Sequence, residues 1–246
     1  MYRNVPAEVL GAEVLRAVIE KYQLAEHDID FIIGGNAVGG GGNMTRLSAL
    51  TAGIDEAVPA VTLDLQCGSA LEAVTQAAAK IESGLADLVL AGGMESASTQ
   101  PYRMWNPNHP QYEKDKAYTV AQFIPGKQGE QVMLEGAERT AIQERVEKQE
   151  MDRWVLESHR RAAKAAQDGV LSDIQVSVAG SRKDEGIRPS MSQKLIDRLP
   201  YLLPGGSVIN AANACLMHDG AAFVVLCSEQ YGISHGLKPE AVFCYG

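Results

Sequence analysis

A chain of 246 residues with 46% hydrophobic side chains is long enough to bury a full core in one or two domains. Its formal net charge of -9, with no basic run, excludes nucleic acid as the main partner. The apolar runs are too short and too glycine-broken to span a bilayer, and no basic-then-apolar signal pattern opens the chain, so a cytoplasmic protein without a membrane partner is expected. Cys67, Cys215, Cys227 and Cys244 make no CxxC pair and no His/Cys spacing suited to zinc; they are read as reduced thiols, with no metal site.

In chain order, Pro6 suits a first helical turn, and Leu10, Val14, Leu15, Val18, Ile19 and Tyr22 then trace an amphipathic helix. A strand-like run over 31–38 leads into a mobile loop, Gly39 to Gly42. That glycine run lacks the Lys-Ser/Thr of a P-loop and the spacing of a dinucleotide fingerprint, so a plain loop is expected. A short helix over 44–52 follows, with Asn43 as its N-cap.

The next stretch organises the rest. A β-prone run from Val61 ends at Cys67, Gly68-Ser69 turns the backbone, and a helical pattern begins at once. Leu71, Val74, Ala78 and Ile81 fall three to four apart, which predicts an inward apolar stripe, and Gly84 stands where a left-handed C-terminal cap would sit. Cys67 is thereby placed between a strand end and the first turn of a largely buried helix. Free amide N–H groups and the positive end of the helix dipole favour an anionic sulfur there, a sound place for a nucleophile. The alternative is an inert core cysteine.

A buried strand over 87–91 then ends in Gly92-Gly93-Met94-Glu95-Ser96. The βαβ rhythm predicts an α/β domain with a mostly parallel sheet flanked by helices, with Cys67 and the Gly92-Gly93 turn at strand C-terminal ends, where such sheets carry sites. From 102 to about 129 the chain is irregular and rich in Pro and aromatic residues. Helices over 133–145 and 152–167, an extended piece over 174–178 and a polar loop over 182–189 complete a helical insertion, a ligand-binding flank or lid. His159 is read as a surface or packing residue. The run 219–227 is read as a central or near-central strand, and 241–246 as a further strand-like piece.

Taken together, four segments resemble the thiolase family, enzymes that join or cleave acyl units on coenzyme A. They are Gln66-Cys67-Gly68-Ser69 with its small-residue helix, Ala91-Gly92-Gly93-Met94-Glu95-Ser96, Asp184-Glu185-Gly186-Ile187-Arg188-Pro189, and Gly205 to Asn213 with Asp219-Gly220-Ala221-Ala222. Met133 with Gly136-Ala137-Glu138 fits the start of the family's loop-domain helix. The resemblance implies a thiolase-like N-terminal α/β domain (1–101 and 205–240), an inserted loop domain (102–204) and the start of a further domain (241–246), truncated at both ends. It implies an acetyl-CoA C-acetyltransferase-type enzyme working by ping-pong transfer through a Cys67 thioester. A coenzyme A thioester would be the substrate, with no further cofactor, and Met133, Arg188, Ala211 and Cys215 would contact CoA.

The departures are specific. Cys215 stands where the family usually has serine, Leu216 where it has glycine, and Val132 replaces a polar residue. The family's second domain, with its Gly-His-Pro and Cys-x-Gly-Gly segments, has no match, so activity would require pairing with a C-terminal half, besides any homo-oligomer. The alternative is an inactive fragment serving as an acyl-CoA- or partner-binding module. The family's first strand, central in its sheet, also has no match; its absence predicts orphaned backbone groups on two strands, a gap that 241–246 would fill. His218, beside Asp219, is a candidate stand-in base, weighed against a solvated turn histidine. His27, His109 and His235 are given no role.

Overall fold

The computed structural model describes residues 2–122, 124–126 and 128–244. Helix α1 (Ala7–Tyr22) follows Pro6, whose ring fixes φ at -66 and which has no amide to leave unpaired. Leu10, Ala12 and Leu15 are fully buried on its inner face. Four strands follow: β1 (Phe31–Gly35), β2 (Ala60–Leu63), β3 (Leu88–Ser96) and β4 (Asp219–Cys227), in spatial order β2-β1-β3-β4. β1 runs parallel to β2 and β3, whereas β4 is antiparallel to β3, with Leu88 opposite Cys227 and Ser96 opposite Asp219.

Side chains alternate across this mixed sheet, as the pleat requires. Ile32, Leu88, Leu90 and Phe223 join a core with Leu15 of α1 and Ala49 of α2 (Met44–Ala52). Ile33, Val89 and Ala91 join a second core with Ala73 and Ala77 of α3 (Ser69–Glu82). The Asn43 side chain caps α2 by accepting the Arg46 N–H at 3.1 Å. Gly84, at φ 73, ends α3 in the left-handed conformation, its N–H bonded to Ile81 and that of Leu85 to Lys80.

Several expectations are corrected. β1 stops at Gly35 because the chain turns: the Asn36 amide donates to the Met94 carbonyl at 2.8 Å, and the Ala37 and Val38 N–H groups donate to the Glu95 carboxylate. β3 does not end at Gly92-Gly93 but runs on to Ser96. A Cβ on Gly92 would sit 2.0 Å from the Ala222 carbonyl oxygen, so the glycine admits β4 rather than making a turn. β4 is an edge strand. β1 and β3 are direct partners from Phe31↔Val89 to Gly35↔Gly93, so no gap with orphaned groups lies between them. Residues 241–244 are irregular and form no strand, and Tyr245 and Gly246 lie outside the described residues.

A further one concerns α3. Its buried stripe is Ser69, Ala73, Ala77 and Ala78, whereas Leu71 is 64% exposed. The helix turns its small side chains to the sheet because β1 and β3 present glycines there. A Cβ on Gly93 would lie 3.2 Å from Ala70 Cβ, too close for a leucine-lined face.

Residues 2–101, 176–181 and 218–244 fold as one unit, and 102–175 with 182–217 as a second. Residues 205–217 thus fold with the second unit. In it, α4 (Val132–Gln143), α5 (Lys148–Gln167) and the short α6 (Gln193–Ile196) occur, and a core of Ala141, Val208 and Ile209 has Leu134 of α4, Met151 of α5 and Leu202 packed on it. Trp105 stacks on His109 at 3.7 Å and on Tyr118 at 4.9 Å, which orders the irregular stretch. Residues 174–178, expected to be extended, begin instead in a 3₁₀ turn, Ser172–Ile174. A last helix, α7 (Glu229–Ser234), belongs to the first unit and is capped by the Ser228 hydroxyl, which accepts the Tyr231 N–H at 3.1 Å. Among the described residues no helix is long and apolar enough to cross a membrane, and no group of three His, Cys, Asp or Glu side chains could hold a metal ion.

Candidate functional site

Between β2 and α3 the chain makes a tight turn held by several hydrogen bonds. The Asp64 carboxylate accepts the Gln66 N–H at 2.9 Å, and Gln66 sits at φ 53, a left-handed conformation uncommon for a residue with a Cβ. The Gly68 and Ser69 N–H groups donate to Leu65 and Gln66 carbonyls at 3.0 and 3.1 Å. The Ser69 hydroxyl accepts the Leu65 N–H at 2.8 Å and donates to the Gln66 carbonyl at 2.6 Å. Cys67 stands at the crest, one residue before the N-cap Gly68, and is exposed. The N–H groups of Ala70 and Leu71 in the first turn of α3 donate to no acceptor among the described residues. The sulfur is therefore open to solvent at the positive end of a buried helix, not walled in by hydrocarbon.

Among the described residues of this unit no histidine is hydrogen-bonded to it. His218 is exposed, and the carboxylate of its neighbour Asp219 is taken by Ser98, whose N–H and hydroxyl donate to it at 2.9 and 2.7 Å. An Asp-oriented imidazole is thus not formed. Of the other thiols, Cys215 and Cys244 are exposed like Cys67, whereas burial pushes the Cys227 thiol up against a smaller opposing effect of the Gly232 N–H.

In the second unit, Met133 lies in the first turn of α4 and is 62% exposed, and Ala211 and Cys215 are exposed in the loop after Ile209. What ties helix to loop is Glu138, a residue whose role the sequence does not announce. Its carboxylate, only 7% exposed, accepts from the Ser207 N–H, the Ser207 hydroxyl at 2.9 Å, the Val208 N–H and the Ile209 N–H at 2.9 Å. Burial raises its pKa, but these donors together outweigh burial and hold it below the ordinary value of 4.5. Just beyond, Asn210 is fully buried, and its Oδ1 accepts the Ala212 and Asn213 N–H groups at 2.9 and 3.3 Å. An acidic residue in the second turn of a helix, followed much later by Gly-Gly-Ser, was the only signal for this clamp.

Arg188 is exposed and makes no ion pair among the described residues, while its N–H donates to His159 Nδ1 at 3.2 Å. That bond ties the polar loop to α5 and gives His159 a packing role. Nearby on the same helix, hydrogen bonds from Arg160 and Arg161 hold Glu157 at about 2. The first unit thus presents the sulfur, and the second presents Met133, Arg188, Ala211 and Cys215 on exposed positions.

The model of the thiolase N-terminal domain matches residues 1–230. The chain belongs to that family. A Staphylococcus epidermidis protein named as an acetyl-CoA C-acetyltransferase, VraB, is 36% identical over 96% of this chain, and its Staphylococcus aureus MRSA252 counterpart is 33% identical over the same share. The crystal structure of the Bacillus anthracis acetyl-CoA acetyltransferase is similar, with TM-score 0.85 and 27% identity over 97% of this chain. In each case the thiolase-like chain spans 64% of the length of the relative.

Proposed function

We propose that this chain is the nucleophile-bearing part of an acyl-CoA C-acyltransferase of the thiolase type, working by ping-pong transfer. The Cys67 sulfur bonds to the thioester carbonyl carbon of an acyl-CoA, the carbon–sulfur bond to CoA breaks, and CoA leaves as its thiol. In the second half, the sulfur of CoA or the carbanion of an acetyl-CoA takes the acyl carbon, and Cys67 recovers its thiol. The observation that carries this reading is the exposed Cys67 on a rigid turn ahead of two unbonded helix amides, in a chain of this family. CoA enters as substrate, with no other cofactor, held through Met133, Arg188, Ala211 and Cys215. The guanidinium of Arg188, with no competing carboxylate, suits a phosphate.

Among the described residues of its own unit no imidazole or second thiol is hydrogen-bonded to Cys67, so we read turnover as drawing on groups from outside that unit, through pairing with a C-terminal thiolase half or another copy. The exposed Leu65, Leu71 and Leu85, at 58%, 64% and 68%, give the Cys67 unit apolar surface that supports such pairing. The test is competitive labelling. Iodoacetamide should alkylate Cys67 faster than the other three thiols, Cys227 should react last, and acetyl-CoA should protect Cys67 alone. Equal labelling of Cys67, Cys215 and Cys244 with no protection would remove the case for a nucleophile.

A further inference from the structure

We infer that Ser69 is the positioning residue for Cys67, holding the turn over residues 65–67 in the one shape that presents the sulfur, and that Gly35 on β1 is what admits it. The inference rests on the reading of Cys67 as acyl acceptor and names what aims it. Ser69 is 4% exposed. A serine at an N-cap turns its hydroxyl forward, to accept an N–H two or three residues on. Ser69, one residue past the N-cap Gly68, turns its hydroxyl backward. It accepts the Leu65 N–H at 2.8 Å and donates to the Gln66 carbonyl at 2.6 Å, spanning the turn from both sides. A hydroxyl has one proton and two lone pairs, so both bonds form at once. The Ser69 N–H donates to the same Gln66 carbonyl at 3.1 Å, so that carbonyl is fixed twice.

Gln66 is held at φ 53, which a residue with a Cβ adopts only under constraint. The amides of Ala70 and Leu71, at the second and third helical positions, are left without acceptors, because the N-cap is Gly68, which has no side chain to cap them. Gly35 completes the device. A Cβ there would lie 2.6 Å from Ser69 Cβ and 2.8 Å from the Ala70 nitrogen, so the first turn of α3 rests directly on the β1 backbone. Asp64 pins the entry of the turn through the Gln66 N–H.

The test is Ser69→Ala in the full chain, read in two ways. By amide hydrogen exchange, Leu65 should open about fivefold or more faster, the factor one net hydrogen bond commands, with Ala73 and Ala77 in the body of α3 unchanged. By mass spectrometry after incubation with acetyl-CoA, acetylation of Cys67 should fall by about tenfold or more, as expected for a misaimed nucleophile, while alkylation by the small, undirected iodoacetamide still goes to completion. A merely structural serine would move both modifications together, or neither. Unchanged Leu65 exchange, or equal acetylation in the two chains, overturns the inference. If the unsubstituted chain takes up no acetyl group, it is the proposed acyl transfer that fails, and the positioning role stands or falls on Leu65 exchange alone. Asp64→Ala, at an exposed position, reads the same turn should Ser69→Ala not fold.

Discussion

Glu138 puts a negative charge where chemistry would ordinarily forbid one, inside the second unit, and surrounds it with donors from three consecutive residues, Ser207, Val208 and Ile209. Its pKa is lower folded than unfolded, so its contribution to stability is fully present above about 4.5 and is lost as pH falls below that value toward the folded one. Glu138→Gln keeps the shape but loses the charge-assisted bonds, and should destabilise the chain by about 2 kcal/mol at neutral pH. Urea melts of both chains should show a constant gap between about pH 7 and pH 5 and converge as pH falls below about 4.5; a gap that stays constant down to about pH 3 would show that the carboxylate is not the cause. Little of this is legible in the sequence, because the partners lie 69 to 71 residues away and use backbone groups that every residue carries. Asn43 shows the opposite case: a cap closes within three residues, so the residue type itself signals it.

Helices and strands were read well where periodicity and local chemistry agree. The extents of α2 and β4 follow directly from their residues, and α1 from Pro6 and its stripe. The phase of α3 was legible only in part: Ala78 is buried and Val74 and Ile81 pack on the core as expected, but Leu71 is exposed. Leucine at position 71 outweighs alanine on any hydrophobicity count, yet the first turn of α3 rests on Gly35 and Gly93, and against those two positions only small side chains fit. Ala77→Leu, at a fully buried position, should therefore cost about 1–3 kcal/mol by overpacking. Leu71→Ala, at an exposed one, should change stability by no more than about 0.5 kcal/mol. Thermal melts of the two variants check the phase, and the opposite ranking would restore the leucine-lined face. The edge position of β4 was equally hidden, since an all-apolar run reads as central. Its outer residues include Val224 at 49% exposure, and nothing local in the sequence distinguishes it from Val225.

At the scale of the molecule, the ordered motifs carried more than any element. Gln66-Cys67-Gly68-Ser69, the β3 segment and the 205–213 segment carried the resemblance to the thiolase family, and the family match spans residues 1–230. The expected vacancy in the sheet did not follow, because β1 and β3 satisfy one another's backbone groups directly. The chemistry proposed here depends on one exposed sulfur on a turn clamped by Ser69, Asp64 and the glycine floor of the sheet. The most direct measurement is peptide mapping by mass spectrometry after incubating the chain with acetyl-CoA. An acetyl group on Cys67, absent from Cys215, Cys227 and Cys244 and abolished in Cys67→Ala, is the predicted result. Acetyl groups spread evenly over the exposed thiols Cys67, Cys215 and Cys244, or none on Cys67, would contradict it.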